Sequence, residues 1–152
     1  MPEIRTEFLF NITIEVAKPV VLGAGPLGTR INVQVLGGGF EGPRLKGIVA
    51  PGGSDWIVLR GDGAMQLDVR LPLETQDGAV INMAYRGLRH GPKDVIDRLT
   101  RGEDVDPALY YFRIAPFFET GAEKYAWLNR ILALGTGKRL PTGPIYDVFE
   151  VL

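Results

Sequence analysis

At 152 residues the chain is sized for one domain, residues 1–152, burying roughly two-thirds of its unfolded surface. Seventeen basic and 18 acidic residues give a net charge of −1, without the basic footprint that nucleic acid or an anionic membrane attracts. No cysteine and a single histidine exclude disulfides, thiol chemistry and multi-histidine metal centres within the chain, and with no apolar run of about 18 residues or leader-like N-terminus the expectation is a cytoplasmic protein.

Twenty glycines and 11 prolines cut the sequence into short pieces, and between the cuts the apolar period is two rather than 3.6. In TEFLFNITIEVA, residues 6–17, Phe8, Phe10, Ile12, Ile14 and Val16 alternate with Glu7, Asn11, Thr13 and Glu15. The next stretch, VVLGAGPLG at 20–28, contains G-x-G-x-x-G, the pattern of a dinucleotide-binding turn. A helix must follow such a turn, because its N-terminus holds the pyrophosphate; here TRINVQV follows, an alternating β-branched strand, and Pro26 lies inside the motif. The glycines are therefore assigned to a loop between strands, and no cofactor is expected. Further strands are predicted near 44–50, 54–60, 65–74, 79–88, 109–115, 124–134 and 145–151. One helix is predicted, PKDVIDRLTRG at 92–102, with Pro92 in its first turn, an apolar stripe of Val95, Ile96 and Leu99, and Gly102 as its stop. Many short strands and a single helix predict an all-β, antiparallel sheet, closed into a barrel or folded into a sandwich.

The register of the central hairpins follows from their turns. Gly61-Asp62-Gly63 and Gln76-Asp77-Gly78 both end in Asp-Gly, a hairpin signal. A two-residue loop at Asp77-Gly78 would set Leu73 against Asn82 and Val69 against Arg86, mixing apolar with polar. A three-residue loop, with Gly78 left-handed, pairs Leu73 with Ile81, Leu71 with Met83 and Val69 with Tyr85; since a one-residue slip swaps the faces, the longer loop is predicted. One face is then aliphatic. The other carries Trp56, Arg60, Gln66, Asp68, Arg70, Glu74, Asn82 and Arg86, with Asp68 opposite Arg86. Such a face serves either as a solvated exterior with weak ion pairs or as the lining of a lumen that holds a small polar molecule between an indole and guanidinium groups. Pattern alone does not say which face points in.

Beyond the hairpins, Tyr125, Trp127 and Asn129 share parity in the strand predicted at 124–134. Glu119 precedes a glycine turn, either as an acid/base raised by burial or as a strand-end carboxylate. Arg44 and Lys46 share one side of their strand, and His90 is expected exposed and uninvolved.

Taken together, GGGFEGPRLKGIVAPGGSDW (37–56), RGDGAMQLDVRLPLET (60–75), YRG (85–87) and YFRIAPFFETGAEKYAWLN (111–129) resemble the DUF3237, or UPF0311, family along nearly the whole chain. The resemblance implies an antiparallel β-barrel of about eight or more strands with one short helix, similar to those of allene oxide cyclases and dirigent proteins, and a family without a general assigned activity. It places Arg44, Asp55, Trp56, Arg60, Asp62, Asp68, Arg70, Glu74, Tyr85, Arg86, Glu119, Thr120, Trp127 and Asn129 at family motif positions and favours the lumen reading of the polar face. The expected function is a cofactor-independent cyclase, isomerase or hydratase for a small phenolic or enone metabolite. In it Asp68 or Glu119 moves a proton, Arg60, Arg70 and Arg86 hold an oxyanion, and Trp56 and Trp127 stack the ring; Arg44, Glu74, Tyr85 and Asn129 complete the ligand-binding set. The alternatives are a carrier that binds without converting its ligand and a structural homodimer.

Overall fold

The computed structural model describes residues 1–152. Ten strands form one antiparallel sheet: β1 (Thr6–Val16), β2 (Val20–Gly25), β3 (Gly28–Glu41), β4 (Lys46–Val49), β5 (Ser54–Leu59), β6 (Met65–Thr75), β7 (Val80–His90), β8 (Tyr111–Glu119), β9 (Leu132–Leu140) and β10 (Gly143–Val151). The order β1-β10-β9-β8-β7-β6-β4-β3-β2, with β5 between β3 and β6, is closed by the pairing of β1 with β3. With the interrupted β4 and β5 sharing one position in the wall, the result is a closed eight-stranded barrel. Closure, rather than a sandwich, follows from the length of β3. Its residues 35–41 pair with β1, while residues 29–34 pair with β5 on the other side. At Gly38, which has a φ of 139°, a Cβ would stand 2.0 Å from the carbonyl oxygen of Thr13, so only glycine lets the two strands meet there.

The alternation read from the sequence decides what fills the barrel. Phe10, Ile12 and Ile14 of β1, Leu67, Val69, Leu71 and Leu73 of β6, and Ile81, Met83 and Tyr85 of β7 are all buried. The predicted hairpin register holds: Leu73 faces Ile81, Leu71 faces Met83, Val69 faces Tyr85 and Asp68 faces Arg86. Gly63 and Gly78 are both left-handed, at φ 87°, as three-residue loops require. The helix α1 (Lys93–Thr100) matches the segment predicted at 92–102 and lies across one barrel end on buried Val95 and Leu99. The glycine-rich stretch after Val20 is the β2–β3 hairpin, with a register break beside Gly23.

One predicted strand is corrected. Residues 124–134 are not continuous strand: Glu123–Arg130 is 3₁₀ helix, and β9 begins at Leu132. Tyr125 and Leu128 are its buried residues, at the i, i+3 spacing of a 3₁₀ turn. The segment is clamped at both ends. Tyr125 Oη donates to Asp77 (2.8 Å), and the Asn129 amide exchanges hydrogen bonds with the backbone of Thr120 (2.8 and 2.9 Å). No helix of the structure is long and apolar enough to cross a membrane.

Candidate functional site

The barrel is filled at one end and hollow at the other. A cavity of about 260 Å3 opens beneath α1, walled on one side by Ile14, Val16, Ile31, Val33, Val35, Ile57, Leu67 and Val69. Facing this aliphatic wall stand Tyr85 and Arg89 from β7, Phe112 from β8, Arg139 from β9 and Tyr146 from β10, with Asp55 entering from β5. Leu99 and Thr100 of α1, with Pro19, Pro144 and Met65, complete its lining.

The polar groups sit at inward strand positions. Asp55 lies opposite Val33 and Val69, two positions from Ile57, so its carboxyl points into the barrel and the residue is only 9% exposed. The Asp68 amide donates to its Oδ1 at 3.1 Å. Burial raises the Asp55 pKa from 3.8 to about 6, opposed by that hydrogen bond and by the attraction of Arg89. The Tyr85 and Tyr146 hydroxyls meet at 3.5 Å, their rings edge to face, and burial pushes both phenols up. Arg89 and Arg139 are lowered by burial, and Arg89 also by the charge of Arg139. The seven salt bridges of the molecule engage neither arginine. The result is two guanidinium groups without a paired carboxylate, beside one carboxyl poised near neutrality, inside an otherwise apolar hollow. Such a site can hold an anionic oxygen and move a proton.

Residues 4–151 match the family model described as "Protein of unknown function (DUF3237)". The chain belongs to the DUF3237 family. Among its relatives, a UPF0311 protein of Rhodopseudomonas palustris is 37% identical over 153 residues, covering 99% of both chains. The crystal structure of a conserved protein of unknown function from R. palustris superposes with a TM-score of 0.93 at 35% identity, over 100% of this chain and 99% of that one. A beta-barrel like protein of Acinetobacter baumannii is 38% identical with a TM-score of 0.88, covering 100% and 98%. A more distant relative, the "Hydroalkoxylation enzyme phnH" of Penicillium herquei, is 26% identical over 134 residues, 88% of this chain and 74% of that protein.

Within this DUF3237 barrel the faces of the central hairpins are the reverse of the lumen expectation. Trp56, Asp68, Arg70, Glu74 and Arg86 are exposed, and Arg60 is half-buried at the outer surface; of the predicted site residues on these strands only Tyr85 points inward. The physical reason is the relative cost of the two arrangements. Burying the aliphatic row removes apolar surface from water at roughly 25 cal/mol per Å2, whereas turning several arginines and carboxylates inward would strip their hydration. Outside, the set is divided. Trp56, Arg60, Gln66, Asp68 and Arg86 line one shallow hollow, where Arg60 pairs with Asp62. Arg70, Asn82, Glu119 and Asn129 line another, so Asp68 is not in one site with Arg70 and Glu119. Arg44 and Trp127 meet elsewhere, the guanidinium 3.9 Å from the ring centroid and 2.5 Å from Glu150. His90 is exposed and stacks on Tyr111.

The cavity residues absent from the sequence-based site, Asp55, Arg89, Arg139 and Tyr146, share one signal. Each is a polar residue on the apolar parity of its strand: Asp55 with Ile57, Arg89 with Ile81, Met83 and Tyr85, Arg139 with Ala133, and Tyr146 with Val148. Charge where the pattern demands aliphatic carbon costs free energy, and such exceptions concentrate at functional sites.

Proposed function

We propose that the cavity beneath α1 binds a small phenolic or enone metabolite and that the protein is a cofactor-independent acid–base catalyst of the cyclase, isomerase or hydratase kind. The observation that carries this is Asp55 within electrostatic reach of Arg89, with Arg139 lining the same largely apolar hollow. For a phenol carrying an enone, the steps balance without an outside reactant. The Asp55 carboxylate takes the phenolic proton and the oxygen bonds to the β-carbon as the C=C π bond opens. The resulting enolate oxygen rests against the guanidinium groups, and Asp55 returns its proton to the α-carbon. A pKa near 6 suits both directions of transfer. The name of the P. herquei relative, hydroalkoxylation enzyme, denotes the same class of chemistry, O–H addition to a carbon–carbon multiple bond.

The test is ring closure across a panel of ortho-hydroxyaryl enones, 2′-hydroxychalcone among them, followed by loss of the enone absorbance. Asp55→Asn is expected to lower kcat/KM by about 10²–10⁴-fold and Arg89→Met by about 10²–10³-fold. In the wild type kcat/KM should rise with pH through about 6 as Asp55 ionises. Conversion by Asp55→Asn at the wild-type rate removes the proposal, and binding of the panel without conversion leaves a carrier.

A further inference from the structure

We infer that the cavity takes its ligand as an organic oxyanion with a flat apolar body, held by Arg89 and Arg139, and that Asp55 takes up a proton as the anion binds. The inference rests on the reading of the cavity as the binding site, and adds the charge of the bound molecule and the proton that accompanies it.

The charges in the hollow do not balance. Two guanidinium groups, from β7 and β9, line it with one carboxyl, from β5, and neither arginine forms a salt bridge. Unpaired cations held partly out of water favour any anion that can reach them. The groups close enough to influence Asp55 are Arg89 and Tyr85 from β7 and Tyr146 from β10, and Arg139 from β9 lines the same hollow. α1 contributes Thr100, while β3 and β6 present Val33, Leu67 and Val69. On β6 the Asp68 carboxylate points outward, yet lies close enough to disfavour charge on Asp55. An oxyanion seated against Arg89 would neutralise the charge that favours ionised Asp55 and would add a second negative neighbour beside Asp68, so that ionisation of Asp55 is disfavoured. The proton therefore goes to Asp55, whose carboxyl ionises at about pH 6, just below the pH of the experiment. At about 260 Å3 the hollow is smaller than the roughly 300–1,000 Å3 of drug-sized sites, and its walls are aliphatic carbon and the rings of Tyr85, Phe112 and Tyr146, which fits a molecule of one or two rings.

The experiment is isothermal titration of the full chain at pH 7 with benzoate, 4-nitrophenol and the uncharged isostere benzamide, each in two buffers of different ionisation enthalpy. Benzoate or 4-nitrophenolate should bind at least tenfold tighter than benzamide, with uptake approaching one proton per bound benzoate and about half of that for 4-nitrophenol, which sheds its own proton on binding. The carboxylate and phenolate arms show which oxyanion is preferred, and phenolate absorbance reports the ionisation of the bound nitrophenol. Asp55→Asn should keep the preference for anions and lose the proton uptake. Arg89→Met, which retains an unbranched apolar stem, should lose the preference; Arg139→Met serves if thermal melting shows the first variant unfolded. Equal affinity for benzamide, or anion binding without proton uptake, overturns the inference. Failure of all three probes to bind overturns both this inference and the cavity as the site. Absence of ring-closing turnover beside tight anion binding overturns only the catalytic reading.

Discussion

The two halves of the barrel are made by the same strands but filled differently. In one half Phe10 packs against Phe40 and Phe118, with ring centroids 5.5 and 5.9 Å apart, and Leu73, Ile81 and Leu128 have no exposed surface. In the other, the inward positions of β1 and β3 carry Val16, Val33 and Val35 where the packed half has Phe10 and Phe40, and the cavity lies between this wall and the rings of Tyr85, Phe112 and Tyr146. Strand β6 serves both, giving Leu71 and Leu73 to the packed half and Leu67 and Val69 to the hollow one. Binary alternation is identical in the two. Side-chain volume separates the part that holds the fold together from the part that can admit a ligand.

Truncation should break the comparison most sharply. Phe10→Ala is expected to cost about 3–5 kcal/mol in denaturant unfolding, the range for a buried aromatic in a close-packed site. Val33→Ala, which only enlarges an existing hollow, should cost under about 2 kcal/mol, and equal losses would deny that the halves differ. The Asp55 carboxyl gives the next effect. Its pKa is raised on folding from 3.8 to about 6, so the folded state binds the extra proton. That contribution is full below about 4 and is lost as pH rises through about 6. Asp55→Asn keeps an acceptor for the Asp68 amide and removes the buried charge. It should therefore stabilise the protein by up to about 3 kcal/mol above pH 7 and by nothing near pH 4, measured as the difference in unfolding free energy at the two pH values. A flat difference across that range would remove the buried carboxylate from the account.

Gly137 tests the boundary between the halves. A Cβ there would stand 2.8 Å from the Tyr146 ring and 2.9 Å from that of Phe112, so Gly137→Ala should cost about 1–3 kcal/mol by overpacking and weaken probe binding by displacing Tyr146. The smallest effects belong to the exterior. Arg70→Ala and Glu119→Gln should each lie within about 0.5 kcal/mol of wild type and leave benzoate binding unchanged. A loss of binding in either would return the site to the outer face.

Strands, turns and the hairpin register were legible because each rests on a short-range rule: alternation, the Asp-Gly turn, and the requirement that Leu73 meet Ile81 rather than Asn82. The direction of the faces was not, because alternation is symmetric. The alternation of β6 reads the same whether Leu67 or Asp68 points inward, and the tie is broken by the cost of stripping water from the charged row against the gain of burying the aliphatic one. The 3₁₀ segment was missed because Tyr125, Trp127 and Asn129 alternate as a strand would, while the bonds that hold the segment come from Asp77 and Thr120. Asp55 was legible as a charged residue at an aliphatic position, but its role depends on Arg89 and Arg139, which meet it only across the lumen.

The β2–β3 hairpin has a consequence of a different kind. Closure leaves every other strand flanked on both sides, so β2, bound only to β3, offers the free rail of main-chain donors and acceptors. Its Val20, Val21 and Leu22 are exposed, which makes this rail the point at which unwanted strand addition between molecules would begin. The break beside Gly23 and the six-residue length of β2 keep the rail short and uneven, which limits strand addition along it.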